Sequence, residues 1–316
     1  MKRKSKAAGP EEIAAAAQCI RAGLLVAFPT ETVYGLGANA LDPDAVARIY
    51  EAKKRPAASP LIVHVASLEQ ARELAAEWPG AADKLAWEFW PGPLTLVLPK
   101  KAVVPDIVTA GLPTVGLRMP DHPVALALIR EAGVPIAAPS ANPFTKLSPT
   151  RPNHLDEDLR EAVAAVLEGG PARVGIESTV LSLAGPRPVL LRPGAVSRVE
   201  LEKRIGPVEE AGRVSGAHPA PGMHPRHYAP RTRLVLVRDG RLPAEGRGAY
   251  LWRERPAEAA CSVRMPETPE AYAASLYDTL HRLDREGWDW IAVEEPPETP
   301  EWTAVRDRLR RASGDG

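Results

Sequence analysis

Between about residues 206 and 231 the chain loses all regular periodicity, and the stretch 212–230 is filled with Gly, Pro, His, Ser and Arg. Such a segment cannot supply the apolar stripe of a helix or the alternation of a strand, so it divides the 316 residues into two units. The expected division is 1–211 for a large first unit, 212–231 for a linker and 232–316 for a smaller second unit. A merely flexible tether has no need of Met223, His224, His227 and Tyr228. An ordered strap folded over a pocket is therefore expected.

On the N-terminal side, short β-like runs alternate with helical stretches, the pattern of an α/β sandwich or open sheet. Pro10 opens an alanine-rich helix over 10–21, with Glu11 and Glu12 at the positive end of its dipole, and a strand follows over 24–28. Asp42-Pro43-Asp44 has the cap-then-proline form of a helix start, with Val46, Ile49 and Tyr50 at helical spacing behind it. Further strands are expected over 61–65, 94–98, 114–117, 136–138, 180–183 and 189–191. Helices are expected over 68–77, 81–89, 122–132 and 155–168, the last stopped by Gly169-Gly170. Beyond the linker, strands over 234–237, 248–252 and 290–293, an amphipathic helix over 269–286 and a last helix from 301 make a compact Rossmann-type unit.

Charge and cysteine usage narrow the function classes. Lys plus Arg number 40 and Asp plus Glu number 40, so no global positive field exists to hold a polyanion, and any nucleic-acid contact must be local. Cys19 and Cys261 are far apart and have no CxxC or Cys/His spacing, which gives neither a disulfide framework nor a zinc site and points to a reducing cytoplasm. The basic start Lys2-Arg3-Lys4 runs into Pro10-Glu11-Glu12 instead of the apolar core of a secretion signal. No stretch approaches the roughly 20 apolar residues of a membrane span, so a soluble, cytoplasmic protein without a membrane partner is expected.

Four clusters carry groups that can do chemistry. In Pro29-Thr30-Glu31-Thr32-Val33-Tyr34-Gly35-Leu36-Gly37, hydroxyls and a carboxylate follow an apolar strand; the segment is either a ligand loop or an ordered loop whose glycines serve geometry. Lys53-Lys54-Arg55-Pro56, leading through Ser59 to His64, sets cations against phosphate oxygens or merely complements a helix C-terminus. His64, alternating with apolar neighbours, reads by itself as a buried, hydrogen-bonded histidine. Thr114 to Arg118, Ala138-Pro139-Ser140-Ala141-Asn142 and Ser148 place small polar groups near strand ends, where open α/β sheets bind ligands. Arg118 can clamp a carboxylate or sit in a surface ion pair. Glu177-Ser178-Thr179, Arg192-Pro193-Gly194 and His227-Tyr228-Ala229-Pro230 complete the set. No Cys or nearby carboxylate joins His218, His224 and His227, so no metal site is expected, and the chain lacks the GxxxxGK[ST] of a P-loop.

In this order the motifs resemble the YrdC/Sua5 family over nearly the whole chain, most specifically in 29–37, in 53–61 with His64, in Ser140-Ala141-Asn142 and in His227-Tyr228-Ala229-Pro230. The resemblance implies a twisted open-sheet α/β first domain with a central, positively lined cavity, and a smaller Rossmann-like C-terminal domain. It implies a nucleotidyltransferase that combines L-threonine, bicarbonate or CO2, and ATP into threonylcarbamoyl-AMP and pyrophosphate, Mg²⁺ accompanying the ATP. The product serves N6-threonylcarbamoyladenosine formation in tRNA, with downstream t6A transferase proteins as partners; direct binding of tRNA is left open. By motif position Thr32, His64, Arg118, Ala138 and Ser178 would surround threonine. Arg55, Ser59, Thr114, Ser140, Ser148, Arg192 and Tyr228 would contact ATP, with Lys53 a further phosphate ligand; no covalent nucleophile is implied. The chain departs from the family pattern at Ser59, usually Asn, at Lys54, usually Gly, and at His224-Pro225, where an aromatic residue is usual. The competing reading is a double-stranded RNA-binding module that uses the same basic cavity to follow a phosphate backbone.

Overall fold

The computed structural model describes residues 7–56, 58–211 and 227–314. Its first unit is built on strands β1 (Val26–Phe28), β2 (Gly35–Asn39), β3 (Ile62–His64), β4 (Leu94–Pro99), β5 (Thr114–Arg118), β6 (Ile136–Ala137), β7 (Ala165–Val166), β8 (Thr179–Ser182), β9 (Val189–Arg192) and β10 (Glu209–Glu210). They join in one mixed ten-stranded sheet, in the order β10-β9-β8-β4-β5-β3-β6-β2-β1-β7. Helices α1 (Pro10–Arg21), α2 (Pro43–Lys53), α3 (Leu68–Leu74), α4 (Gly80–Phe89), α5 (Asp106–Thr109), α6 (Pro123–Ala132), α7 (Glu157–Ala162) and α8 (Arg198–Ile205) surround it. Strand alternation divides the core. Val26 and Phe28 pack with Ile20 of α1 and Leu128 of α6, while Ala27, Leu36 and Val63 turn to the opposite side and pack with Ile49 of α2 and Leu85 of α4.

Two local expectations are corrected by the structure. The segment after Phe28 was expected to remain a loop through its glycines, yet Gly35–Asn39 is a central strand, antiparallel to both β1 and β6. Its glycines answer a packing demand. A Cβ on Gly37 would stand 2.7 Å from Phe28 Cε1 and 2.8 Å from Ile136 Cγ2, so neighbouring side chains occupy the space a side chain would need. The helix expected over 155–168 is likewise cut short at Ala162, and Ala165–Val166 adds to the edge of β1 as a parallel strand. Ala164 N donates to Leu25 O at 2.9 Å and Leu167 N to Ala27 O at 2.9 Å, so the open edge of β1 supplies bonds that local helical patterning cannot foresee.

The second unit has strands β11 (Arg233–Val237), β12 (Gly248–Trp252), β13 (Cys261–Arg264) and β14 (Trp290–Glu294), all parallel, in the order β11-β14-β12-β13. Helices α9 (Pro269–Asp284) and α10 (Thr303–Ser313) complete the Rossmann-like arrangement. β13 escaped sequence reading because it is a half-exposed outer strand of only four residues, in which Cys261 and Val263 alone are apolar. The two units do not merely touch. Val33, Leu147 and Ile176 of the first unit and Tyr228 pack into the same core as Tyr277, Leu280, Val305 and Leu309 of the second. Of the expected strap, 212–226, including His218, Met223 and His224, lies outside the described residues; 227–231 runs along this junction, where Ala229 N donates to Thr145 O at 2.9 Å.

Because Gly37 faces a ring and a methyl group inside the ladder, Gly37→Ala should destabilise the protein by about 1–3 kcal/mol through overpacking. Gly80→Ala, at the start of α4 with nothing within 4 Å of the added carbon, should be neutral. Urea unfolding midpoints of the two variants would check this; equal midpoints would contradict the packing account.

Candidate functional site

Sheet register assembles the site. His64 and Arg118 are paired across parallel strands β3 and β5, at the carboxyl ends of both. β4 runs antiparallel to β5 and parallel to β8, which brings residue 178, just before β8, to the same edge, and β9 returns antiparallel to β8 so that Arg192 is paired with Val180. Opposite them, Gly35 bridges to Ser140 and carries the 138–142 loop across the opening. Short strands of fixed register thus bring together groups far apart in sequence.

The space between these elements, open solvent included, is about 550 Å³. Every residue the resemblance connects with threonine, namely Thr32, His64, Arg118, Ala138 and Ser178, lines it. Of those connected with ATP, Arg55, Ser140, Arg192 and Tyr228 line it as well, joined by Thr30, Val33, Gly35, Ile62, Pro139, Glu177 and His227. The remaining candidates are placed elsewhere. Lys53 stands behind the wall, its ammonium donating to the carbonyls of Ser140, at 2.6 Å, and Asn142. Burial, with Arg55 alongside, pushes the Lys53 pKa well below its ordinary value. Ser59 offers its carbonyl to Tyr50 Oη at 3.0 Å and to Arg55 Nε at 3.4 Å. Thr114, at the start of β5, lines a smaller neighbouring cleft with Leu61, Thr95 and Gly116; Ile62 is common to both. The Ser148 hydroxyl donates to Glu177 Oε1.

The cations of the cavity are held from behind. Arg118 Nε donates to Gly92 O at 3.2 Å, and its Nη2 lies 2.6 Å from Glu31 Oε1 in ion-pair contact, both side chains almost wholly buried. Burial decides against the surface ion pair that sequence alone left open. Arg192 clasps the Ser178 carbonyl through Nε at 3.1 Å and Nη2 at 2.9 Å, and Nη2 also reaches Ser178 Oγ at 3.2 Å. Arg55 Nη2 donates to Pro60 O at 3.2 Å, and its guanidinium stands 5.6 Å from the centre of the Phe144 ring. Burial lowers the pKa of Arg55 to about 10, so its guanidinium stays cationic at neutral pH, and burial also depresses Arg192.

Neutral groups stand between these charges. Burial, reinforced by Arg118, pulls His64 from 6.5 to about 3 against backbone hydrogen bonds with Ile136 and Ile62, so the imidazole is uncharged. Thr30 Oγ1 lies 2.9 Å from Thr32 Oγ1, and Thr95 Oγ1 lies 2.8 Å from Ser178 Oγ, so the Thr32 and Ser178 hydroxyls have fixed partners. Sequence reasoning placed Glu31 and Glu177 inside its motifs but gave neither a role, since a carboxylate is no obvious partner for an anionic ligand, and it missed Arg308. Arg308 is 131 positions from Glu177, and only the junction of the units brings its Nε to 2.8 Å from Glu177 Oε2. Burial raises the Glu177 carboxyl, but Arg308 and Arg192, with hydrogen bonds from Ser148 and Arg308, outweigh it and hold the group below its ordinary range. Among the described residues no group of three or more His, Cys, Asp or Glu side chains could hold a metal ion.

A family model for Sua5, YciO and YrdC proteins, described as "Telomere recombination", matches residues 18–194, and one for the threonylcarbamoyl-AMP synthase C-terminal domain matches 196–314. The chain belongs to the YrdC/Sua5 family. Within that family it is 47% identical to a threonylcarbamoyl-AMP synthase of Pyrococcus abyssi, over 96% of this chain and 94% of that one. It is 44% identical to a threonylcarbamoyl-AMP synthase of Bacillus subtilis, over 96% and 93%. The crystal structure of P. abyssi Sua5 complexed with L-threonine superposes with a TM-score of 0.90 at 44% identity, covering 98% of this YrdC/Sua5 chain and 96% of that one. The fold of the first unit recurs in Escherichia coli YciO, with a TM-score of 0.52 at 24% identity over 59% of this chain and 90% of that one.

His64 binds its proton more weakly folded than unfolded, so the stability it contributes is complete above pH 6.5 and falls as pH drops toward about 3. The slope from this one group reaches about 1.4 kcal/mol per pH unit. His281, lowered to about 4 by burial, and His154, lowered to about 3 by burial and by His281, add slopes of the same sign. Denaturant stability measured from pH 7 to 4 should therefore decline less steeply in His64→Gln than in the parent. Parallel curves would show that His64 is not buried neutral.

Proposed function

We propose that this YrdC/Sua5 chain is an L-threonylcarbamoyladenylate synthase, forming threonylcarbamoyl-AMP and pyrophosphate from L-threonine, CO2 or bicarbonate, and ATP. What carries the reading is a single buried cavity in which Arg55, Arg118 and Arg192 converge around a neutral His64 and oriented hydroxyls. Similarity along nearly the whole chain to proteins named threonylcarbamoyl-AMP synthase, one of them crystallised with L-threonine, supports it. On this reading the product feeds t6A formation in tRNA, and the downstream t6A transferase proteins are its partners. A cytoplasmic setting follows from that role; no helix among the described residues is long and apolar enough to cross a membrane.

In the proposed reaction the threonine nitrogen bonds to the carbon of CO2 and loses a proton, giving a carbamate. A carbamate oxygen then bonds to the α-phosphorus as the bond to the bridging oxygen breaks, and pyrophosphate leaves with that electron pair. Charge is the main obstacle, since an anion attacks an anion. Arg118 would hold the threonine carboxylate while Glu31 fixes the guanidinium from behind, and Arg55 and Arg192 would face the phosphates. Thr32 and Ser178 would select the threonine hydroxyl, because a site built around a hydrogen bond disfavours analogues lacking it. His64, uncharged, can hydrogen-bond a substrate without adding to the field of Arg118. Lys53 would act through Ser140, whose carbonyl it holds. Mg²⁺ carried on the triphosphate would spread its charge. Enclosure beside His227 and Tyr228 would protect the mixed anhydride from water.

The RNA-binding alternative is not favoured. Arg55, Arg118 and Arg192 are 8%, 3% and 3% exposed, whereas a duplex backbone is met by cations on an open surface.

Mass-spectrometric detection of product from ATP, bicarbonate and each amino acid in turn tests the reaction, with threonine expected to dominate. Arg55→Ala should leave the protein folded and lower turnover by about 10²-fold or more. Arg118→Ala should chiefly raise the KM for threonine. Full activity in either variant would refute the assigned role.

A further inference from the structure

We infer that the second unit completes the nucleotide half of the cavity, with Arg308 of α10 as the positioning residue that holds Glu177 and Tyr228 in its wall. The inference rests on the proposed synthase reading and adds to it a role for the C-terminal domain. The Arg308 side chain is wholly buried. Its Nε donates to Glu177 Oε2 at 2.8 Å, Nη2 to the Glu177 carbonyl at 3.3 Å and Nη1 to Asp307 Oδ2 at 2.7 Å, while the guanidinium lies 5.1 Å from the centre of the Tyr228 ring. Tyr277 of α9 donates to the same Glu177 oxygen at 3.2 Å, and Ser148 occupies the other. Both carboxylate oxygens are therefore engaged, two of their three donors coming from the second unit. Glu177 is thereby fixed as a structural anion rather than a base.

The strap is held by the same helix. His227 N donates to Arg311 O at 3.1 Å, and the next residue, Tyr228, sits at φ 61, a left-handed conformation that a tyrosine keeps only where its surroundings impose it. Its hydroxyl is buried at the cavity and makes no hydrogen bond among the described residues, as a group awaiting a ligand does. The electrostatic consequence is specific. Glu177 lines the cavity, and without Arg308 its buried charge would confront a triphosphate with a repulsive carboxylate and would release the Tyr228 ring. Arg118 and His64, the groups assigned to the threonine carboxylate side, take their partners at Gly92, Glu31, Ile62 and Ile136 rather than at Arg308 or Glu177, so threonine binding depends less on the junction.

Equilibrium binding of Mg²⁺-ATP and, separately, of L-threonine to the full-length protein tests this. Arg308→Met should weaken ATP binding by about tenfold or more and leave threonine within about twofold. Adding Glu177→Gln should restore ATP to within about threefold of the parent, because the orphaned charge is gone. Arg308→Lys, which keeps the charge and loses the planar fork, should also weaken ATP selectively and serves if the methionine variant does not fold. Unchanged ATP affinity in the folded Arg308 variants, equal losses for both ligands, or no recovery in the double variant would each overturn the inference. A parent protein that binds no ATP would instead sink the synthase reading itself.

Discussion

Arg55, Arg118, Arg192 and Arg308 are withdrawn from water around one edge of the sheet, and the local architecture is organised by the need to compensate them. Each buried ion costs several kcal/mol unless partners replace its hydration. The compensation differs among them, and the differences suit different tasks. Arg118 and Arg308 are matched by the carboxylates Glu31 and Glu177, whereas Arg55 and Arg192 rest on carbonyls of Ser59, Pro60 and Ser178. Carbonyl dipoles orient the Arg55 and Arg192 guanidinia, and Arg192 also helps to hold the Glu177 carboxyl below its ordinary range.

That scheme explains why short strands suffice. β3 has only three residues and β6 two, yet each delivers a group to the cavity because its neighbours fix its register on both sides. A one-residue slip would turn His64 toward the opposite face and bury an apolar side chain against Arg118. The same close packing accounts for Gly37, where the Phe28 ring and an Ile136 methyl group leave no space for a side chain.

Much of this was legible in the amino-acid order. Pro43 behind Asp42 marked α2, whose end delivers Lys53 and Arg55, and apolar runs marked the strands that carry His64 and Arg118. What escaped depends on contacts remote in sequence. Glycines that make room for Phe28 look like loop glycines until the ring is in place, and 163–168 has helical spacing until the edge of β1 offers it hydrogen bonds. Lys53 showed the limit of motif reasoning about charge. Its position invites a phosphate, whereas its ammonium is taken by the carbonyls of Ser140 and Asn142, a fact no linear spacing encodes.

The second unit poses the deeper question of why a complete sheet carries an additional domain. E. coli YciO shares the fold of the first unit over 90% of its own length, so the sheet does not require a Rossmann-like partner to exist. What the partner adds must then be sought where the two meet, and that junction combines a continuous apolar core with one buried ionic cluster. Apolar contact supplies most of the adhesion, since burying an ion pair gains little over burying hydrocarbon. The ionic cluster instead supplies direction. Arg308 has one geometry in which it satisfies Glu177, Asp307 and the Tyr228 ring together, so docking of the units sets the position of two cavity residues. An interface held by hydrocarbon alone could slide by an ångström without great loss; one registered by a buried guanidinium fork cannot, and a reaction between two anions leaves little tolerance for such a shift.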